Sequence, residues 1–168
     1  MFCNMYMAYD TLHPAVQRAV DELEAHNAFP DTEVEGEKIG FGQTDPNLRL
    51  GREAVMGVAQ PVVVIHPETK RKALYVNRTF TRKIIGMPEL QSRHLLDMLH
   101  EHCANAPEFQ VRFSWKVGAI AVWDNRCTLH YAVSDYASPR TMWRVTTEGT
   151  GPLYGPSSVT ATEARKSA

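Results

Sequence analysis

The chain has 168 residues, of which 43% are hydrophobic and 22% are charged, and its formal net charge is −1. This length suits a single domain, and this apolar fraction predicts a packed core rather than a disordered chain. The lack of excess positive charge argues against a general binder of nucleic acid or of anionic membranes, since affinity for a polyanion rests on Lys and Arg. No apolar run reaches the roughly 20 residues that a membrane-spanning helix needs.

The cysteines indicate in which redox compartment the protein resides. Cys3, Cys103 and Cys127 are an odd number, and none belongs to a C-x-x-C pair. This predicts buried free thiols rather than a disulfide framework or a zinc site. No signal peptide is recognisable at the start, so a cytoplasmic protein is expected.

The first third predicts helix and then loop. Residues 1–10 are apolar and suggest a turn of helix. An amphipathic helix of about 13 residues is predicted from Pro14 to near Asn27, because apolar residues recur at i, i+3, i+4 and i+7. These apolar residues are Val16, Ala19, Val20 and Leu23. Residues 29–57 carry turn signals without any period, so a lid, a binding loop and a mobile insertion all remain open.

The middle of the chain predicts a hairpin and a second helix. Residues 62–65 and 73–76 are apolar runs separated by a turn at 66–69, which is typical of a β-hairpin. A further short apolar segment covers 80–85. A helix is predicted over 88–104. Its expected apolar stripe consists of Leu95, Met98, Leu99 and His102.

The last third predicts strands throughout. Apolar and polar residues alternate over 109–115, and a nearly continuous apolar run covers 119–123. Residues 128–133 and 141–147 have the same β character on either side of a predicted turn. Short hairpin-linked strands with helices before them predict a mostly β fold with peripheral helices, of the jelly-roll or barrel kind.

One histidine stands out among the seven as a candidate metal ligand. His130 lies on a predicted strand, and Arg140 and Arg144 lie beyond the following turn, so a hairpin would bring them close. Imidazole is a good ligand for Fe(II), and a guanidinium pairs bidentately with a carboxylate. Taken alone, these residues fit a structural histidine and a solvated arginine face better than a site.

Six segments carry a resemblance to a known family. They are Asn-Met-Tyr-Met-Ala-Tyr-Asp at 4–10, His-Pro-Glu-Thr-Lys-Arg-Lys-Ala-Leu-Tyr-Val-Asn at 66–77 followed by Phe-Thr at 80–81, Pro-Glu-Phe-Gln-Val-Arg-Phe-Ser-Trp at 107–115, Ala-Val-Trp-Asp-Asn-Arg at 121–126, Thr-Leu-His-Tyr-Ala at 128–132 and Arg-Thr-Met-Trp-Arg-Val-Thr at 140–146. Together they resemble the C-terminal part of the taurine dioxygenase (TauD/TfdA-like) family. The resemblance runs from the first residues to about residue 154 and is weakest in the loop.

The resemblance implies a partial double-stranded β-helix, or jelly roll, and an Fe(II) ion held by two His and one carboxylate. His130 falls on the distal His of that triad. Arg140 falls on the arginine that grips the far carboxylate of 2-oxoglutarate, although the spacing is one residue short. Arg144 matches an arginine that meets the anionic group of the substrate. Phe80 matches an aromatic position of the substrate pocket, for which core packing is an equal alternative.

The chain departs from the family pattern at its start. The family's other two iron ligands form an H-x-D pair upstream of the segment at which this sequence begins. The only H-x-D/E match here is His66-Pro67-Glu68, which we expect in a hairpin turn outside the active site. The predicted organisation is one domain over 1–154, truncated at its N-terminus and with the insertion at 29–57, followed by a flexible tail at 155–168.

The implied function is Fe(II)- and 2-oxoglutarate-dependent hydroxylation of a small anionic organic substrate, a sulfonate or a carboxylate, with O₂ as oxidant. The chain alone is expected to be inactive without the H-x-D ligands, and no residue is assigned as catalytic. The alternative is a non-catalytic jelly-roll remnant that acts as a binding or interaction module. No nucleic acid or membrane partner is expected, and a homo-oligomer stays open.

Overall fold

Three small antiparallel sheets and three α-helices form the part of the chain that the computed structural model describes, which is residues 1–28, 57–147, 149 and 153–156. The elements in order are β1 (Phe2–Asn4), α1 (Met5–Asp10), α2 (Pro14–Val20), β2 (Glu24–Asn27), β3 (Val58–Pro61), β4 (Val63–Ile65), β5 (Lys72–Leu74), β6 (Thr81–Ile84), α3 (Glu89–Asn105), a 3₁₀ turn (Pro107–Phe109), β7 (Gln110–Val111) and β8 (Thr128–His130). Helix and sheet are therefore mixed, and the expectation of a mostly β chain is not met in these residues.

The predicted helix from Pro14 is shorter than expected. Pro14 does open α2, and the His13 side chain accepts a hydrogen bond from the amide of Ala15 at its first turn. The helix ends at Val20, however, and Glu24–Asn27 forms β2. The prediction of a helix reaching Asn27 is wrong because β2 pairs on both edges, with β3 and with β6. These long-range hydrogen bonds override the local helical pattern.

Each of the three sheets contains only two or three short antiparallel strands. The predicted hairpin is confirmed, since β4 pairs with β5 with Val63 opposite Leu74. In a second sheet β2 lies between β3 and β6, and in a third β1 lies between β7 and β8. In that third sheet Phe2 lies opposite His130. The first strand of the chain therefore positions the candidate metal ligand.

Helix α3 lies close to the predicted bounds, but its buried stripe is rotated. Ser92, Leu96, Leu99 and Cys103 are buried, whereas Met98 is 38% exposed. The Ser92 hydroxyl accepts a hydrogen bond of 2.7 Å from the backbone amide of Ile84 in β6. This small side chain allows the helix to approach the strand, and so it selects which face is buried.

The core lies among α1, the β4–β5 hairpin and α3. Its largest fully buried side chains are Val20, Val62, Val63, Val64, Leu74, Ile84 and Leu99. Two of the three predicted free thiols, Cys3 and Cys103, are also buried, whereas Cys127 is half-buried. The hydrophobic cluster therefore belongs almost wholly to residues before 110.

The predicted strands of the last third are mostly absent. No residue of 110–147 is buried, and only Gln110–Val111 and Thr128–His130 are paired there. The predicted strands at 119–123 and 141–147 do not form, because a strand needs the N–H and C=O groups of a neighbour and only β1 supplies them here. The loop at 29–57 lies outside the described residues except Gly57, and so does the tail at 155–168 except Gly155 and Pro156.

Candidate functional site

A cavity of about 570 Å³ lies where β2, β3 and β5 meet the turn before β8. Its wall includes His130 and Phe80, together with the polar side chains of Tyr75, Asn77 and Arg126. The structure thus brings two of the four predicted site residues to one concave surface. A cavity of this size suits a small organic ligand.

His130 is the last residue of β8 and lies beside two aromatic rings. Its ring centroid is 5.1 Å from that of Trp123 and 6.5 Å from that of Phe2. Partial burial lowers the pKa of His130, and the positive charges of Arg144 and of the amino terminus lower that pKa further. Both effects favour the neutral imidazole, which is the form that binds a metal ion.

Phe80 is half-buried and follows β5. Its amide donates to the carbonyl oxygen of Asn77 at 3.1 Å, and its carbonyl oxygen accepts from the amide of Ala28 at 2.9 Å. These backbone contacts fix the residue at the cavity wall while its ring is only partly covered. Its position serves both alternatives that the sequence left open, core packing and a substrate pocket.

Arg140 and Arg144 do not line the cavity. Both side chains are exposed on the extended segment after β8. The Arg140 guanidinium lies over the Tyr136 ring, 4.3 Å from its centroid. Arg144 is near enough for its charge to lower the pKa of His130.

The described residues offer Fe(II) only one position of the expected triad. The imidazole of His130 fits that position. Within the described part of the chain, the only group of three or more potential ligands is His66, Asp124 and Cys127, which does not include His130. The residues described here therefore fit a single ligand of the three that the resemblance implies.

Four charged and titratable side chains form a cluster that sequence reasoning missed, and we call it the His66 cluster: His66, Glu68, Asp124 and Arg126. The Nε2 atom of His66 lies 3.0 Å from a carboxylate oxygen of Asp124. Arg126 donates to both oxygens of Asp124 and, at 3.0 Å, to Glu68. The hydrogen bonds from Arg126, followed by that from His66, hold the pKa of Asp124 well below its usual range.

The His66 cluster is not arranged as a metal centre. The ligand atoms of His66, Asp124 and Cys127 lie within 4.8 Å of one another. However, the Arg126 guanidinium already occupies both oxygens of Asp124, and the amide of Thr69 donates to Nδ1 of His66 at 3.2 Å. A cation there would sit beside a guanidinium, which costs Coulomb energy. His66 and Glu68 lie in the turn between β4 and β5, as the sequence predicted for that H-x-E match.

The helices have no membrane-spanning candidate among the described residues, since none is both long and apolar enough.

Comparison with known proteins identifies the class. Residues 1–146 match the family described as taurine catabolism dioxygenase TauD, TfdA family. The chain is 41% identical to an alkylsulfatase of Acinetobacter baylyi over 150 residues, covering 88% of this chain and 47% of that protein. It is 32% identical to an alpha-ketoglutarate-dependent sulfate ester dioxygenase of Pseudomonas putida, covering 91% of this chain and 51% of that protein. The crystal structure of a taurine dioxygenase from Burkholderia xenovorans superposes with a TM-score of 0.59 at 32% identity, covering 76% of this chain and 38% of that one.

The chain belongs to the TauD/TfdA family of dioxygenases. The cofactors of that family, Fe(II) and 2-oxoglutarate, are those that the sequence resemblance implied. The chain spans from about a third to about half of the length of the curated relatives it matches.

Proposed function

We propose that this chain forms part of an Fe(II)- and 2-oxoglutarate-dependent dioxygenase that hydroxylates a small anionic organic substrate, a sulfonate or a carboxylate, in the cytoplasm. The observation that carries the proposal is the position of His130 in the wall of a cavity of about 570 Å³. The sulfate ester named for the Pseudomonas putida relative is also a small organic anion, which supports this substrate class.

The jelly roll and the domain bounds belong to the same proposal. The antiparallel pairing of β1 with β7 and β8 fits one face of such a fold. We take 1–154 as one domain, with 155–168 as its tail.

His130 would supply one ligand to Fe(II) through its neutral imidazole. A metal ion held there would supply the chemistry for the oxidation of a C–H bond with O₂ and 2-oxoglutarate. The aromatic pair of Phe2 and Trp123 limits how far the imidazole can turn, because both rings pack beside it. A ligand held in one orientation loses less entropy when the metal binds.

Arg140 would bind the far carboxylate of 2-oxoglutarate, and Arg144 would bind the anionic group of the substrate. A guanidinium fork matches a carboxylate or sulfonate with two parallel hydrogen bonds. The proposal requires the segment that carries both arginines to fold back beside β8. Phe80 would form an apolar wall that excludes water from the reacting carbon.

The first test uses the 168-residue chain itself with Fe(II), O₂ and labelled 2-oxoglutarate. With one triad ligand among its described residues, we expect no succinate above background. Robust turnover would contradict the proposed need for iron ligands in addition to His130.

The second test joins this chain to the N-terminal portion of the Acinetobacter baylyi alkylsulfatase that it does not match. We expect succinate formation that His130→Ala reduces by at least about 100-fold, a loss typical of a removed catalytic group. Arg140→Gln should raise the KM for 2-oxoglutarate, and Arg144→Gln that for the organic anion. A chimera that folds, binds neither metal nor 2-oxoglutarate and is indifferent to His130→Ala would favour the non-catalytic binding module.

A further inference from the structure

We propose that the His66 cluster is a positioning device for His130: it fixes the turn at 124–127, from which β8 begins, and so aims the imidazole at the cavity. The inference deepens the proposed function and rests on it for the role of His130. It assigns positioning roles to Asp124 and His66, neither of which touches the cavity wall.

The carboxylate of Asp124 accepts the hydrogen bonds that hold the turn at 124–127. One oxygen of Asp124 accepts from the backbone amide of Arg126 at 2.8 Å and from its Nε at 2.9 Å. The other oxygen accepts from the guanidinium of Arg126 and from His66. Because β8 starts at Thr128, two residues after Arg126, a shift of this turn moves His130 directly.

On the other side of the contact, His66 is buried. His66 is 4% exposed and follows β4, whose Val63 and Val64 are fully buried. The Thr69 amide donates to Nδ1 of His66, which also lies 3.2 Å from a carboxylate oxygen of Glu68, while Nε2 lies 3.0 Å from Asp124. The His66 ring also meets the Tyr6 ring edge-on at 5.8 Å. The cluster therefore ties an exposed turn to the buried core.

Packing covers the turn only in part. No residue of 110–147 is buried, although the half-buried Cys127 and Leu129 pack against the core. The amide of Met5 donates to the carbonyl oxygen of Cys127 at 3.0 Å, and β1 pairs with β8. These backbone contacts hold β8 against β1, whereas the side-chain contacts of the His66 cluster hold the turn that precedes β8.

Arg126 belongs to the cluster and not to the anion-binding set, although it lines the cavity. Its Nε and one terminal nitrogen donate to Asp124, and the other terminal nitrogen donates to Glu68. Because the carboxylates of Asp124 and Glu68 both pair with it, the positive charge of this guanidinium is already balanced, which weakens its attraction for a further anion. This separates its role from those proposed for Arg140 and Arg144.

The test is NMR of the full chain, without metal, for Asp124→Asn. The variant keeps the size of the side chain and removes its charge. We expect the amides of Met5 and Tyr131, which bond to the turn and across β1, to exchange about 10-fold faster or more. The imidazole signals of His130 should move toward those of an unstructured histidine. The amide of Leu99 in α3 should change less than about 2-fold.

The matched control is Asp135→Asn, which removes the other Asp–Arg pair of the same exposed region, Arg112–Asp135. It should leave the imidazole signals of His130 unchanged. Equal acceleration at Met5, Tyr131 and Leu99 in Asp124→Asn would show only a loss of global stability and would overturn the proposal. Unchanged His130 signals would overturn it as well.

Arg126→Lys is a second, milder variant that tests the proposal even if Asp124→Asn does not fold. It keeps the positive charge but loses the bidentate fork, so it should move the His130 signals in the same direction by a smaller amount, while Asp124→Glu should restore part of the wild-type spectrum. Arg126→Lys spectra identical to wild type would also reject the proposal. Because no metal enters this measurement, its outcome is independent of whether His130 proves to be an iron ligand in the chimera.

Discussion

Two regions of this molecule have similarly apolar sequences and very different structures. The packed region, residues 1–28 and 57–109, contains every side chain of the hydrophobic core. The extended region, residues 110–147, contains none, although it carries His130, Arg140 and Arg144. Val64 and Val122 both lie in apolar runs of β type, yet they are 0% and 93% exposed.

The difference shows that an apolar β pattern forms a strand only where a neighbouring strand is available to pair with it. In the packed region β4 meets β5 a few residues later in the chain, α1 packs on β5, and α3 packs on α1 and β6. In the extended region, β7 and β8 find only β1. The backbone groups of unpaired residues then face water, and their apolar side chains stay exposed with them.

Hydrogen exchange should show the largest contrast. We expect amides of α3 and β4 to be protected about three orders of magnitude or more above those of 111–127 and 132–147, because core amides open only with large-scale unfolding. Mass spectrometry of peptic peptides, or NMR, measures this. Comparable protection in both regions would mean that the extended region is packed in solution, and the comparison would fail.

Matched valine substitutions come next in size. Val64→Ala should lower the free energy of unfolding by about 1.5–3 kcal/mol, because it removes buried methyl groups from the core. Val122→Ala should change it by less than about 0.5 kcal/mol. Urea unfolding followed by circular dichroism tests both. A large cost at Val122 would reveal a contact of the extended region that the structure lacks.

Acid should act on the ionic link between the two regions. The pKa values of Asp124 and Glu68 are lowered in the folded chain, chiefly by hydrogen bonds from Arg126. Their stabilisation is therefore full above the unfolded carboxyl pKa of about 4 and is lost as the pH falls through the lower folded values. Unfolding free energies between pH 6 and 3 should fall less steeply for Asp124→Asn than for wild type. An unaltered slope would show that the pair adds no pH-dependent stability.

The smallest expected effect is a change in the pKa of His130, within the extended region. Arg144→Gln should raise the pKa of His130 toward its usual value, since it removes one of the positive charges that lower it. Arg140→Gln is the control, because Arg140 is not among the causes of that shift. An NMR titration of the imidazole measures both. Equal shifts in the two variants would place the arginines at similar distances from His130, and the arrangement of the extended region would need revision.

Local features were predictable wherever the partner lay nearby in the chain. The β4–β5 hairpin and α3 were predicted within a few residues because a turn or a helical repeat specifies them locally. Strand β2 was not, since Glu24–Asn27 becomes a strand only through pairing with β3 and β6, both more than 30 residues away. The buried stripe of α3 was missed because the polar Ser92 points inward to bond the backbone of β6.

The candidate site divides in the same way. His130 and Phe80 were selected by resemblance, and they meet at one cavity. The His66 cluster was not anticipated, although His66-Pro67-Glu68 and the run ending in Asp124-Asn125-Arg126 were both noted as family segments. Nothing in a linear sequence indicates that two segments 58 residues apart are joined by a His–Asp contact and by one guanidinium.

By itself, the sequence determined the family, the hairpin, the long helix and the residue types available for iron and anion binding. These features depend on motifs and on periodicities between residues that are close together in the chain. Only the tertiary structure decided which strands formed, which face of α3 was buried and which charges met around Asp124. Strand pairing and ion pairing are non-local, so they depend on which surfaces come together. In this molecule that rule leaves His130 on a paired strand and leaves Arg140 and Arg144 in solvent.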